Sequence, residues 1–150
     1  MMFNKVNKRG VTLVELVIVM AIIAIMAVVA VPNIGGWLPN YRLRSAARDI
    51  ASTLRTAQMK SISLNRQFQV TFPSAGSYVL QRNSGGVFQN DGATQTLPDG
   101  VAITANSFPG TNAQFNTNST ASAGTVTLTN TRGTQRRIVV TAATGRVRIE

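Results

Sequence analysis

The sequence predicts an α+β fold: one long amino-terminal helix, apolar in its first part and amphipathic in its second, packed on a small antiparallel β-sheet domain. Three observations predict it. Residues 11–31 hold only Thr12 and Glu15 as polar side chains. Residues 40–65 place apolar side chains at three- and four-residue steps. Beyond Arg66 the pattern changes to period two and breaks repeatedly at Gly, Pro, Asn and Ser, as short strands joined by turns do. A chain of 150 residues has room for one ordinary domain plus an appendage.

The 21 positions of residues 11–31 make a helix of roughly 31 Å, close to the roughly 30 Å of a bilayer's hydrocarbon core. Lys5, Lys8 and Arg9 precede this run, and no charge lies between Pro32 and Tyr41, so the positive-inside rule places the first residues in the cytoplasm. Arg42, Arg44 and Arg48 reduce the asymmetry. A secretory signal would end its apolar core at a small-residue cleavage site; here the small residue beside the charges is Gly10, ahead of the run, so the helix survives processing. A carboxylate such as Glu15 costs about 2.5–3.5 kcal/mol inside a membrane helix and calls for a cation. Cutting after Gly10 would supply one, because the new amine of Val11 lies four residues before Glu15 on the same helix face. A neighbouring copy could offer the same amine, or Glu15 is hydrated at the headgroup boundary.

Pro32, Gly35, Gly36 and Pro39 predict a kink or partial melting before residue 40. The helix over 40–65 then carries Leu43, Ala46, Ala47, Ile50, Leu54 and Ala57 toward a sheet. Arg44, Arg48, Arg55 and Arg66 form a basic stripe beside the apolar one, most simply a solvated flank. Phe68, Val70 and Phe72 alternate with polar residues in a half-buried strand that ends at Pro73, and residues 77–82 form its hairpin partner through Ser74, Ala75 and Gly76. Further strands are predicted near 86–89, 101–104, 125–129, 136–141 and 146–149. Residues 105–124, rich in Asn, Thr, Ser, Ala and Gly, read as a long mobile surface loop.

Composition excludes much chemistry. The 15 Lys and Arg outnumber 5 Asp and Glu, and there is neither His nor Cys. Imidazole or thiolate metal sites, cysteine nucleophiles and His-based triads are therefore unavailable. The acids Glu15, Asp49, Asp91, Asp99 and Glu150 are scattered with no paired spacing, and no phosphate-binding loop is present, so the chain reads as a non-enzyme without cofactor or metal. A net charge of +10 favours a polyanionic partner, nucleic acid or acidic lipid.

Lys8-Arg9-Gly10, then Val11-Thr12-Leu13-Val14-Glu15-Leu16, then a long apolar helix with Pro32 near its end, together resemble the class III signal of type IV prepilins and type II secretion pseudopilins. The resemblance implies that a prepilin peptidase cleaves after Gly10 and methylates the amine of Val11. It implies that Glu15 pairs with a neighbouring subunit's amino terminus during filament assembly. The family usually has Phe where this chain has Val11. The implied organisation is a leader over 1–10, a transmembrane and filament-core helix over 11–32, and an exported domain over 33–150 with its helix at 40–65 and β region at 67–150. The implied location is the bacterial inner membrane, crossed once, with the amino terminus cytoplasmic and the globular domain periplasmic, then a pilus or pseudopilus. The run of short strands resembles the GspH/FimT branch of minor pilins, and the missing cysteines depart from the disulfide that often closes major pilins.

Residues 131–150 hold Arg132, Arg136, Arg137, Arg146 and Arg148 against the single acid Glu150. Period two sends Arg146 and Arg148 to one face of a last strand and Val147 and Ile149 to the other. Pairing with 136–141 would bring Arg136 or Arg137 near them, a spacing suited to successive phosphates, which the planar guanidinium binds well. Gly145-Arg146-Val147-Arg148 also resembles the Gly-Arg-x-Arg motif near the carboxy terminus of FimT-type minor pilins, implicated in binding DNA for uptake in natural transformation. Two readings follow. One is a minor type IV pilin at or near the pilus tip that binds DNA non-specifically through Arg136, Arg137, Gly145, Arg146 and Arg148. The other is a structural pseudopilin that initiates a type II secretion filament, its arginines merely guarding an edge strand.

Overall fold

A computed structural model describes residues 11–30 and 34–150. The chain divides into two units, Met1–Trp37 and Leu38–Glu150. The first unit contains α1 (Leu13–Ala30), whose mid-helix side chains are apolar on every side and exposed. Its 18 residues rise about 27 Å, and among the described residues no helix is long and apolar enough to cross a membrane. The expected basic leader, the Gly10 cleavage site and the Pro32 break lie outside the described residues.

The helix expected over 40–65 is α2 (Ile34–Ser63), which starts six residues earlier and runs through Gly35, Gly36 and Pro39. Pro39 stands in the second turn, where it forgoes one helix bond while its fixed φ is already helical. Tertiary contacts outweigh the remaining propensity cost: Asn130 donates to Asn40 Oδ1 at 3.0 Å, and Arg42 donates to the Asp99 carbonyl at 3.0 Å. The helix ends at Asn65, left-handed with φ of 48°. The N–H of Arg66 bonds the Ser61 carbonyl at 3.2 Å and that of Asn65 the Ile62 carbonyl at 3.4 Å, a Schellman stop. That stop takes Arg66 off the basic stripe expected along the helix.

The β region comprises β1 (Phe68–Ser74), β2 (Ser77–Ser84), β3 (Val87–Asn90), β4 (Gln95–Thr96), β5 (Val101–Asn106), β6 (Asn112–Phe115), β7 (Gly124–Asn130), β8 (Gln135–Val140) and β9 (Val147–Ile149). They form two antiparallel sheets, one ordered β3-β2-β1-β6 with β4 also on β2, the other ordered β5-β7-β8-β9. The predicted β1–β2 hairpin is present, with Val70 opposite Leu80. The predicted apolar face of α2, Leu43, Ala46, Ala47, Ile50, Leu54 and Ala57, is buried in one continuous core with Phe68, Val70, Val126, Leu128, Ile138 and Val140. The alanines let the helix backbone approach the sheets closely, so small residues here serve packing density.

The expected mobile loop over 105–124 is corrected by the structure. Its middle is β6, which pairs with β1 and buries Ala113 and Phe115 completely. Phe108 is also buried, stacking on Phe72 with ring centroids 6.3 Å apart. Its ring lies over Gly124, where any side chain would collide with it. The polar neighbours that suggested a loop face outward or are bonded in place: Ser107 exchanges contacts with Thr125, and Asn116 donates to Thr120 Oγ1 at 2.9 Å.

Candidate functional site

In the first unit, Thr12 and Glu15 cap α1 reciprocally. Glu15 N–H donates to Thr12 Oγ1 at 3.2 Å, and Thr12 N–H donates to Glu15 Oε2 at 3.2 Å. This is a capping box, legible in the sequence as Thr-x-x-Glu before an apolar run, and it gives Glu15 a local partner other than a cation. Val11, one residue outside the cap, is exposed.

The second unit brings together arginines that are far apart in sequence. β9 is the edge strand of the second sheet and pairs with β8 so that Val140 faces Val147 and Val139 faces Arg148. The ladder continues one step further, Arg137 N–H donating to the Glu150 carbonyl at 2.9 Å and Glu150 N–H to the Arg137 carbonyl at 2.8 Å. Alternation then turns Ile138, Val140 and Val147 into the core and Arg137 and Arg148 to the opposite face. Arg136 falls on the core-side face and reaches the sheet margin beside α2.

Two adjoining grooves lie along this margin. One, of about 350 Å³, is lined by Arg44, Ala47 and Arg48 of α2 together with Arg136 and Ile149. The other, of about 790 Å³, is lined by Arg55 and Gln58 of α2 and by Arg146, Arg148 and Glu150. Ile149 borders both. Gln58 Nε2 donates to the Thr144 carbonyl at 2.8 Å and Arg55 to the Val147 carbonyl at 3.4 Å, tying the helix to the last strand. The structure thus splits the expected arginine set: Arg136 and Arg146 line the margin, Arg148 lines it from the outer face that it shares with Arg137, and Arg137, 3.7 Å from the Glu150 carboxylate, lines neither groove. Glu150 also bonds Arg148 at 2.9 Å, so part of the positive charge is already partnered.

Gly145 is buried, and its φ of 61° is left-handed. A Cβ there would fall 2.7 Å from Gln58 Nε2 and 3.0 Å from the Ser119 carbonyl. Its N–H closes the turn into β9 on the Thr141 carbonyl at 2.9 Å. The glycine of Gly145-Arg146-Val147-Arg148 therefore aims the two arginines and offers no surface of its own to a ligand.

On the opposite flank of α2 a polar cavity of about 450 Å³ is lined by Asp49, Thr53, Thr56, Tyr78 and Asp91. Asp91 is held by Lys60 at 2.6 Å. Burial pushes the Tyr78 hydroxyl above its ordinary pKa; a hydrogen bond with Thr53 lowers it and the nearby Asp49 charge raises it further. A phenol raised in this way stays neutral at neutral pH, and no cluster of metal-binding side chains occurs among the described residues.

A family model described as type II transport protein GspH matches residues 46–145, and a model of the prokaryotic N-terminal methylation motif matches residues 5–31. Among solved structures, the minor pseudopilin EpsH from the type 2 secretion system of Vibrio cholerae matches with a TM-score of 0.63 at 12% identity, over 73% of this chain and 96% of EpsH. The type IV minor pilin FimU of Pseudomonas aeruginosa matches with a TM-score of 0.58 at 15% identity, over 74% of this chain and 90% of FimU. At these identities the likeness is one of fold: a long helix packed on antiparallel sheets. No curated protein matches the sequence.

Proposed function

As the chain belongs to the GspH family of minor pseudopilins and pilins, we propose that it is a minor type IV pilin at or near a pilus tip, binding DNA without sequence preference for uptake in natural transformation. In this reading a prepilin peptidase cuts after Gly10 and methylates Val11. The apolar helix anchors the subunit in the inner membrane with its globular domain in the periplasm, and Glu15 then pairs with the amino terminus of another pilin subunit on assembly. The observation that carries the DNA reading is the convergence of Arg136, Arg146 and Arg148 on one sheet margin of a chain with net charge +10. Among the described residues no helix is placed to read a base edge, so the arginines meet phosphates and sequence preference is slight. The second reading, a structural pseudopilin that initiates a type II secretion filament, is favoured by the family description and by the EpsH likeness.

The experiment titrates unrelated duplexes with the full chain in neutral detergent at several salt concentrations, beside an Arg146→Gln/Arg148→Gln variant. Expected is sequence-indifferent binding whose salt slope falls by about 2 in the variant, with affinity down about tenfold or more. Absence of binding at low salt leaves the pseudopilin reading.

A further inference from the structure

Resting on the reading of this margin as a DNA site, we infer that the site is a seam with two walls, and that α2 supplies the second: Arg44, Arg48 and Arg55 hold the phosphodiester backbone together with the arginines of the last strand. The sequence alone gives these helix arginines no more than a solvated flank. At 100° per residue the three fall within about 40° of one another, on one border of the exposed face of the helix. That side is the one facing β9, and each of the three lines one of the two grooves there. The opposite side of α2 carries Asp49, Thr53 and Thr56 instead. Arg42 and Lys60 are the exceptions, and each has a structural task, Arg42 on the Asp99 carbonyl and Lys60 on Asp91.

The dimensions fit one strand's backbone. Arg44 and Arg48 are one turn apart, and the eleven residues from Arg44 to Arg55 rise about 16 Å. Phosphates of one duplex strand advance about 3.4 Å along the axis, so the three guanidiniums cover about five phosphates. Arg136 lines the first groove with Arg44 and Arg48, and Arg146 and Arg148 line the second with Arg55. Between them Ile149, 36% exposed, puts apolar surface on the path for a sugar or base to rest on. Each groove alone holds three arginines; the seam holds six, three of them on a rigid helix whose buried face is fixed in the core.

The test uses the full chain in neutral detergent with a single-stranded oligonucleotide and a duplex of equal length. It compares Arg44→Gln/Arg48→Gln with Arg66→Gln/Arg82→Gln, which removes the same charge away from the seam. Arg44 and Arg48 are exposed, so the first variant folds, which circular dichroism checks. Expected is a loss of about tenfold and a salt slope lower by about 2 for Arg44→Gln/Arg48→Gln, against a change within about twofold for the control pair. A loss confined to one nucleic-acid form supports the seam and names the form it takes. Equal behaviour of the two variants, with binding lost on Arg146→Gln/Arg148→Gln, overturns the second wall and leaves the DNA reading standing. A native chain that binds neither form overturns both.

Discussion

Glu150 places one carboxylate against two guanidiniums, Oε1 at 2.9 Å from Arg148 and Oε2 at 3.7 Å from Arg137. Its two oxygens lie against both guanidiniums, so a nucleic acid that used these arginines in full would have to displace them. Both partners are substantially exposed, and such pairs contribute at most about 1 kcal/mol to stability, so the fold does not depend on the contact. Replacing the carboxylate by an amide removes the competitor and leaves the ladder bonds of the Glu150 backbone untouched. Glu150→Gln is therefore expected to tighten DNA binding about three- to tenfold at low salt and to steepen its salt dependence, read by fluorescence anisotropy. Unchanged affinity would mean that the Glu150 carboxylate and the DNA do not share a position. Gly145 acts at the same scale by a different route, its left-handed backbone deciding where Arg146 and Arg148 point.

Among the elements, β6 has the most to say about how the domain closes. It supplies the fourth neighbour in the β3-β2-β1-β6 order, and Phe115 is fully buried opposite Phe68. Phe115→Ala is expected to cost about 3–5 kcal/mol in denaturant unfolding, and backbone amides of Asn112–Phe115 that pair with β1 should exchange as slowly as those of β7. Fast exchange there would restore the mobile loop. The apolar stripe of α2 and most strands were legible because each shows at least two large apolar residues at its own period. β6 hides because its buried positions are Ala113 and Phe115, one too small to register and the other isolated among Asn, Gln and Thr. Gly35, Gly36 and Pro39 misled in the opposite direction, since local propensity there is outvoted by contacts from Asn130 and Asp99 that no local pattern records. The seam was half legible for the same reason: the arginines of each wall form a visible pattern, but their juxtaposition depends on β9 pairing at the sheet edge beside α2.

For the whole molecule, the proposed pairing in a filament and the helix cap make competing claims on Glu15. The capping box satisfies the carboxylate within its own subunit through Thr12. That cap needs an acceptor at the third helical position and not a charge, since Gln serves the same geometry. Pairing with a neighbour's amine needs the charge. Glu15→Gln therefore keeps the cap and removes the charge that such a pair would need, whereas Thr12→Ala keeps the charge and weakens the cap by about 1 kcal/mol. If the charge is what admits a subunit to the filament, Glu15→Gln should accumulate in the membrane and fall about tenfold or more in the sheared-filament fraction, because an amine buried without its partner is strongly disfavoured. Thr12→Ala should assemble close to the native level. The ratio of filament to membrane protein on immunoblots measures both. Loss in Thr12→Ala with normal assembly of Glu15→Gln would reverse the conclusion and make Glu15 a helix-starting residue whose charge is incidental.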